Sequence, residues 1–466
     1  MRSLSLPAGA FRTLAHQISD FTADYLDKLP NLPSYPRGIT GQQTEALFKG
    51  DLPLEGIGPA AFDDLGQVFE YARPSSPRFY GYVFGSGESI GALGDFAAGV
   101  LNQNATAWRS APAGVTIERT VVRWLAEAIG YPGFTGSLTL GGSSANLMAL
   151  CMAREAKAPA NQTGVRGGVI YCSTEAHMSI AKAAALLGLG HDSVRRIAVD
   201  EEFRMRIDEL RAAIERDVTA GNQPVAIVAS AGTTATGSID PLAEIADLCE
   251  ELGLWMHVDG AYGALAALAI PDAFQGMNRA NSLSLDPHKW LYQPAGIGCL
   301  LYRDAADAQR AFSHTADYAR SLTNDPIEGF AFFEESMELS RPFRALKLWM
   351  SLRYFGLRAF QQSIAEDLNL AQVLASAVDG EPKLERLAPV ALSAVCFRFK
   401  NANGDLDALN GAILKRITQR GRVYLSNALI HGQFALRACI VNHRTTEDDV
   451  RAVVSEVIAA AGEVQT

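Results

Sequence analysis

Between residues 137 and 302 the chain alternates short apolar runs with stretches of helical period. The apolar runs fall at 137–140, 168–172, 225–229, 254–258, 282–285 and 297–302. Helical stretches fit between them at 145–157, 178–187, 207–216 and 241–252. Strands that read as continuous apolar runs are buried on both faces, and crossover helices supply the cover. The alternation therefore predicts an α/β fold built on a mainly parallel sheet. In such a sheet, functional groups collect at the carboxyl ends of the strands.

The flanks read differently. Residues 10–29 place Phe11, Leu14, Ile18, Phe21, Tyr25 and Leu26 at helical spacing, and Pro30, Pro33 and Pro36 end that helix. A second helical region is expected at 47–69, interrupted at Leu52-Pro53. This opening is too thin to make its own core, so residues 1–85 are expected to form a helical arm and linker that packs on a second subunit. Residues 86–345 are expected to form the large domain. A long helical stretch at 341–375, strand-like runs at 391–399 and 435–441, and helices at 406–419 and 447–461 predict a smaller α+β domain over 346–466.

Composition excludes several classes. The chain has 466 residues, 48% of them hydrophobic, enough for a large core, and a net charge of -10 opposes a broad nucleic-acid footprint. The six cysteines lie far apart in apolar contexts with no CxxC pair, so core thiols are expected rather than disulfides or a metal site. The first residues lack a long apolar segment, and apolar stretches such as 261–270 fall short of the roughly 20 residues that span a bilayer. No membrane partner and a cytoplasmic location are the resulting expectations.

Five expected strand ends carry candidate chemistry. Gly141-Gly142-Ser143-Ser144 lies between a strand and a helix, where glycine backbone and a helix N-terminus suit a phosphate. The alternative is a turn with a serine cap. His177 follows the run at 168–172, as a ring stacker or a structural histidine. Gly232-Thr233-Thr234 follows the run at 225–229. Asp259, in His257-Val258-Asp259-Gly260-Ala261, ends the next run; it either caps a helix or pairs with a heteroaromatic ring nitrogen beside small residues that let a flat ring approach. Asp286-Pro287-His288-Lys289-Trp290 ends the last of the five. A lysine among apolar residues loses hydration, which favours the neutral amine needed for a Schiff base. A phosphate cradle, a stacker, a carboxylate and a lysine together point to one aldehyde-bearing aromatic phosphate, pyridoxal phosphate.

With these segments in view, the chain resembles the pyridoxal-phosphate-dependent group II amino acid decarboxylases, the aromatic-L-amino-acid, glutamate and cysteine-sulfinate decarboxylase group. The resemblance runs over roughly residues 10–460 and is carried by SSPRFYGYV (75–83), GGSSANLMAL (141–150), STEAHMSIAKA (173–183), AGTTATGSID (231–240), HVDGAYGA (257–264), DPHKW (286–290) and RPFRALKLW (341–349). It implies the aspartate-aminotransferase-like fold of type I pyridoxal-phosphate enzymes and a homodimer with active sites at the subunit interface. It also implies that Lys289 holds the cofactor covalently, Asp259 binds its ring nitrogen, and His177 and Ala261 pack on its two faces. Gly142, Ser143 and His288 would serve the phosphate, with Thr234 nearby. Tyr82, Phe84, Trp108 and Arg437 would line the substrate pocket, and Tyr318 falls on the loop tyrosine that returns a proton to the substrate carbon. Related aldehyde synthases carry phenylalanine there. One departure stands out: animal relatives often have asparagine where this chain has Asp286.

The implied reaction is α-decarboxylation of an L-amino acid. Phe79, Tyr80, Tyr82, Phe84 and Trp108 favour an aromatic side chain, while Asn102, Gln103, Asn104 and Thr106 leave an acidic or short polar one open. An aminotransferase or another lyase on the same fold, and a non-catalytic scaffold, are the competing readings.

Overall fold

The computed structural model describes residues 4–36, 38–314, 323, 325–400 and 404–465. Tyr318 lies outside the described residues. Seven strands form the large sheet: β1 Thr135–Thr139, β2 Val169–Ser173, β3 Val194–Ile197, β4 Pro224–Ser230, β5 Trp255–Asp259, β6 Ser282–Leu285 and β7 Gly298–Tyr302. Their order is β1-β7-β6-β5-β4-β2-β3. Neighbours from β3 through β6 are parallel, and β7 runs antiparallel to both β1 and β6. The expected mainly parallel sheet is present, and all the strands except β7 point their carboxyl ends the same way.

Side-chain alternation along each strand decides what reaches the site. On β4, Ile227 and Ala229 face a core shared with the helices Pro112–Ala128 and Leu242–Leu252, while Ala226 and Val228 face the helix Gly142–Lys157. On β5, Met256 and Val258 face the first core and Trp255 the second. His257 and Asp259 therefore share Trp255's side of the sheet. The β5–β6 register sets Ser282 opposite His257 and Ser284 opposite Asp259. A polar column thus runs up one face of the central strands beneath the helix Gly142–Lys157.

The second sheet is antiparallel: β8 Leu384–Arg386, β9 Ala394–Phe399, β10 Ser426–Ile430 and β11 Gln433–Cys439, in the order β10-β11-β9-β8. Its core unites Val395, Phe397 and Leu436 with Ile413, Val453 and Leu374 from the covering helices. The helix expected over 341–375 is broken by Gly356, at φ +75°, into Ala345–Phe355 and Leu357–Asp379. Leu346 and Leu348 of the first piece belong to the core of the large sheet, whereas the second core takes up the chain near Leu370. The two cores thus change over inside the helix Leu357–Asp379, beyond the expected boundary at 346.

The N-terminal helix Ala8–Lys28 has no buried residue, and Phe11 and Leu26 on its apolar stripe are exposed. The helix expected at 47–69 is instead two short ones, Gly41–Phe48 and Leu65–Tyr71. Thr40 and Gln43 form a capping box that starts the first. Pro53, Gly56, Gly58 and Pro59 prevent a continuous helix between them.

Candidate active site

The carboxyl ends of β1, β2, β4, β5 and β6 surround a cavity of about 590 Å³. Gly142, Ser143, His177, Thr234, Asp259, Ala261, His288 and Lys289 all line it, as does Tyr82. Phe84, Trp108 and Arg437 do not. The Phe84 ring lies beside His288, 6.4 Å between centroids. Trp108 is half-buried and begins a short helical turn, Trp108–Ser110. Arg437 is 2% exposed and holds backbone rather than an open pocket: Nε donates to Ala235 O at 2.9 Å and Nη1 to Tyr82 O at 3.0 Å. Tyr82 has φ +62°, a left-handed conformation uncommon for a bulky residue, and Arg437 fastens it against the cavity.

One end of the cavity is an anion cradle. The helix Gly142–Lys157 begins there, so its first N–H groups and its dipole face the space. A Cβ on Gly142 would sit 2.5 Å from the Ala261 Cβ, and one on Gly298 would sit 2.5 Å from the Gly141 Cα, so both positions accept only glycine. Beside the cradle, Asp286 Oδ2 is 3.1 Å from Lys289 Nζ and 3.6 Å from His288 Nε2. Lys289 is therefore paired with a carboxylate, where sequence suggested an amine desolvated among apolar residues. His288 Nδ1 donates to Ile297 O at 2.6 Å, and burial lowers its pKa. Asp286 Oδ1 is buried with no hydrogen-bond partner among the described residues.

At the floor, Asp259 accepts three hydrogen bonds: from Asn146 Nδ2 at 2.8 Å, Ser284 Oγ at 3.2 Å and the Ala261 N–H at 3.2 Å. Donors on both oxygens fix the orientation of the carboxylate. His177 stands over the same floor, its Nδ1 2.8 Å from Ser179 Oγ. Burial lowers its pKa, so it is neutral at pH 7. Asn146, Ser179 and Ser284 were not singled out from sequence. Their only sequence signal is position: Asn146 is one helical turn inside the cradle helix, and Ser284 is two residues before Asp286.

A glycine cradle at a helix N-terminus, an anchored carboxylate on the floor and a lysine at the next strand end fit a flat aromatic phosphate that carries an aldehyde. The fold and these groups define a pyridoxal-phosphate enzyme of the aspartate-aminotransferase-like class. Within that class the chain belongs to the family described as pyridoxal-dependent decarboxylase conserved domain, which matches residues 68–400. It is 34% identical to an aromatic-L-amino-acid decarboxylase of Bacillus atrophaeus, over 99% of this chain and 98% of that protein. It is also 34% identical to an L-2,4-diaminobutyrate decarboxylase of Rhizobium meliloti, over 98% of this chain and 92% of the other. Among solved structures, the Oryza sativa TDC with PLP and tryptamine superposes with a TM-score of 0.92 at 25% identity, covering 100% of both chains. The protein is a pyridoxal-phosphate-dependent carboxy-lyase acting on amino acids.

Proposed function

We propose that the substrate is an aromatic L-amino acid, released as its amine and carbon dioxide. The observation that carries this is the lining of the cavity. Among the described residues, Lys289 is its only lysine or arginine, and the walls away from the floor offer Tyr82, Val83, Leu140, Met178 and Tyr262. A side-chain carboxylate, as in glutamate or cysteine sulfinate, would need a cation that this lining does not supply. The diaminobutyrate relative marks the competing class, a cationic side chain. Of the lining carboxylates, Asp259 is engaged by three donors and Asp286 Oδ2 by Lys289, while Asp286 Oδ1 is buried rather than open to a substrate cation. An aromatic ring asks only for apolar and aromatic contact.

Pyridoxal phosphate, when bound, supplies an electron sink for the pair left on Cα as carbon dioxide departs. The residues of this chain do the rest. Gly142, Ser143 and His288 would hold the phosphate, and Lys289 would offer its amine to the aldehyde. Asp259, fixed by its three donors, would pair with the ring nitrogen. His177 and Ala261 would pack against the ring, with Thr234 near it. Tyr82 borders the substrate side, held by Arg437. Tyr318 is assigned the return of a proton to Cα from its place in the family pattern.

The exposed apolar stripe of the helix Ala8–Lys28 supports a homodimer, with the arm covering a second subunit. The deciding experiment is an amino acid panel with carbon dioxide and amine detection. Preference for phenylalanine, tyrosine or tryptophan analogues is the expected result, and preference for glutamate, aspartate or diaminobutyrate would overturn the substrate assignment.

A further inference from the structure

Behind the cavity floor lies a chain of buried polar side chains that the reaction does not touch directly. Trp255 Nε1 donates to Ser282 Oγ at 2.9 Å. Ser282 Oγ is 2.9 Å from His257 Nδ1, and His257 Nε2 is 3.0 Å from Asn146 Oδ1. The amide nitrogen of Asn146 then reaches both Asp259 Oδ2, at 2.8 Å, and Ser179 Oγ, at 2.9 Å. Ser179 Oγ is 2.8 Å from His177 Nδ1. Trp255, Ser282, His257 and Asn146 are each at most 2% exposed, so water does not stand in for a lost partner.

The directions follow from the Asp259 end, and they leave the Ser282 carbonyl, 3.2 Å from His257 Nδ1, without a hydrogen bond from that nitrogen. Asp259 is a carboxylate and only accepts, so the Asn146 NH₂ must face it and the Asn146 carbonyl must face His257. His257 therefore donates through Nε2. Burial lowers its pKa to about 4, so at neutral pH it carries one proton and its Nδ1 accepts. Trp255 can only donate, which leaves the Ser282 hydroxyl proton free to point at that Nδ1. At the other branch, Ser179 Oγ accepts from Asn146 and donates its own proton to His177 Nδ1. The Ser179 N–H also points at this nitrogen, at 3.2 Å. With Nδ1 an acceptor, the one proton of neutral His177 sits on Nε2.

We propose that Asn146 and His257 are positioning residues: His257 locks the orientation of the Asn146 amide, and Asn146 anchors Asp259, while the N–H and hydroxyl of Ser179 keep His177 in its Nε2–H form. The assignment rests on the decarboxylase reading only for its purpose, since the hydrogen-bond directions belong to the protein alone. The reversed chain would place the Asn146 carbonyl 2.8 Å from the Asp259 carboxylate, acceptor against acceptor. A buried network of this kind holds one state because each member excludes the alternative of the next.

The test begins on the apoprotein labelled with ¹⁵N-histidine, where ring nitrogen shifts report tautomers without any turnover. Wild type at pH 7 should show His177 and His257 both neutral and protonated at Nε2. Asn146→Ala should leave His177 in its Nε2–H form, still held by Ser179, and weaken pyridoxal phosphate binding about 10- to 100-fold, the usual worth of a hydrogen bond to a charged group. His257→Gln, which can still donate to the Asn146 carbonyl, should bind the cofactor at least several-fold tighter than His257→Leu, which cannot. If Asn146→Ala fails to fold, the pair His257→Gln and His257→Leu carries the test, and equal cofactor affinity in the two would overturn the proposal. An Nδ1–H form of His257 in wild type, or equal cofactor affinity in folded Asn146→Ala and wild type, would also overturn it. Absence of carbon dioxide release by wild type would instead count against the decarboxylase reading and leave these tautomers unaffected.

Discussion

The cavity floor and the N-terminal arm use side chains in opposite ways. At the floor, polar side chains pair within their own chain: Asp259 alone accepts three hydrogen bonds. In the arm, apolar groups are exposed: Phe11 and Leu26 of a helix with no buried residue, and beyond it Phe48, Leu52 and Leu54. The floor is finished by the fold of one chain. The arm is unfinished, because burying a large apolar side chain contributes about 1.5–3 kcal/mol that an isolated chain forgoes. The comparison separates the two regions: the fold of one chain pairs the polar groups of the floor, whereas the arm leaves apolar surface that the proposed second copy would cover.

The largest expected effect breaks the floor at its reactive member. Lys289→Ala should abolish covalent cofactor attachment, read by mass after borohydride reduction, and remove nearly all carbon dioxide release. Full turnover in the variant would remove Lys289 from the mechanism. Next comes Asp259→Ala, which deletes the carboxylate proposed to pair with the ring nitrogen and strands three donors. A loss of ~10²-fold or more in kcat is expected, with weaker cofactor retention on dialysis; a rate near wild type would place the carboxylate elsewhere.

The arm should respond differently. Replacing Phe11 and Leu26 with glutamate touches no group of the floor, so cofactor binding by an intact monomer would be unchanged in kind. It should nonetheless shift sedimentation from dimer toward monomer at micromolar concentration, with activity falling in step. A fully active monomer would show that the arm's apolar face serves something other than a second copy.

A subtler break lies between the two regions, where Arg437 fastens Tyr82. Lysine at 437 keeps the charge but lacks the planar fork that reaches both Ala235 O and Tyr82 O. Arg437→Lys should lower kcat/KM for the best aromatic substrate by about 10-fold, a loss of roughly 1.4 kcal/mol, mainly through KM. Loss confined to kcat would instead assign Arg437 to the chemistry.

The contrast between floor and arm also explains what the sequence revealed. Strands β2 and β7 are buried at every position, so they read as unbroken apolar runs. Strand β3, Val194–Ile197, was not recognised, because Arg195 and Arg196 interrupt its apolar pattern at the sheet edge. The helix Ser89–Leu101 was also missed; Gly91, Gly94 and Gly99 weaken its local signal. Gly94 is required by tertiary packing, since a Cβ there would meet the Lys347 backbone at 2.6 Å. Asp259 and Lys289 were visible because they end apolar runs. Asn146 and His257 carry no such mark: their roles depend on a strand and a helix 111 residues apart in sequence coming into contact.

The smallest effect on turnover is expected at Asp367, a buried carboxylate away from the cavity that sharpens the comparison from a third place. Tyr292 Oη donates to its Oδ2 at 2.8 Å and the Asn442 N–H at 3.1 Å. Burial outweighs these donors and pushes its carboxyl up to about 7. In the unfolded chain an aspartate ionises near ~4, so between about pH 4 and 7 the folded protein keeps a proton that the unfolded chain gives up. The stability this residue contributes is full below about pH 4 and lost as pH rises through 7. Asparagine at 367 retains an acceptor for Tyr292 and Asn442 and never ionises. Asp367→Asn should therefore gain stability relative to wild type from pH 4 to 7, on the order of 1 kcal/mol per unit, and hold that gain above 7. Taking the difference between the two proteins removes most of the contribution of other buried groups, such as His443, lowered to about 4 by burial. Urea unfolding at pH 4.5, 6 and 8 measures it, with carbon dioxide release unchanged at each pH. A difference flat with pH would show that the two donors offset the burial of the Asp367 carboxyl.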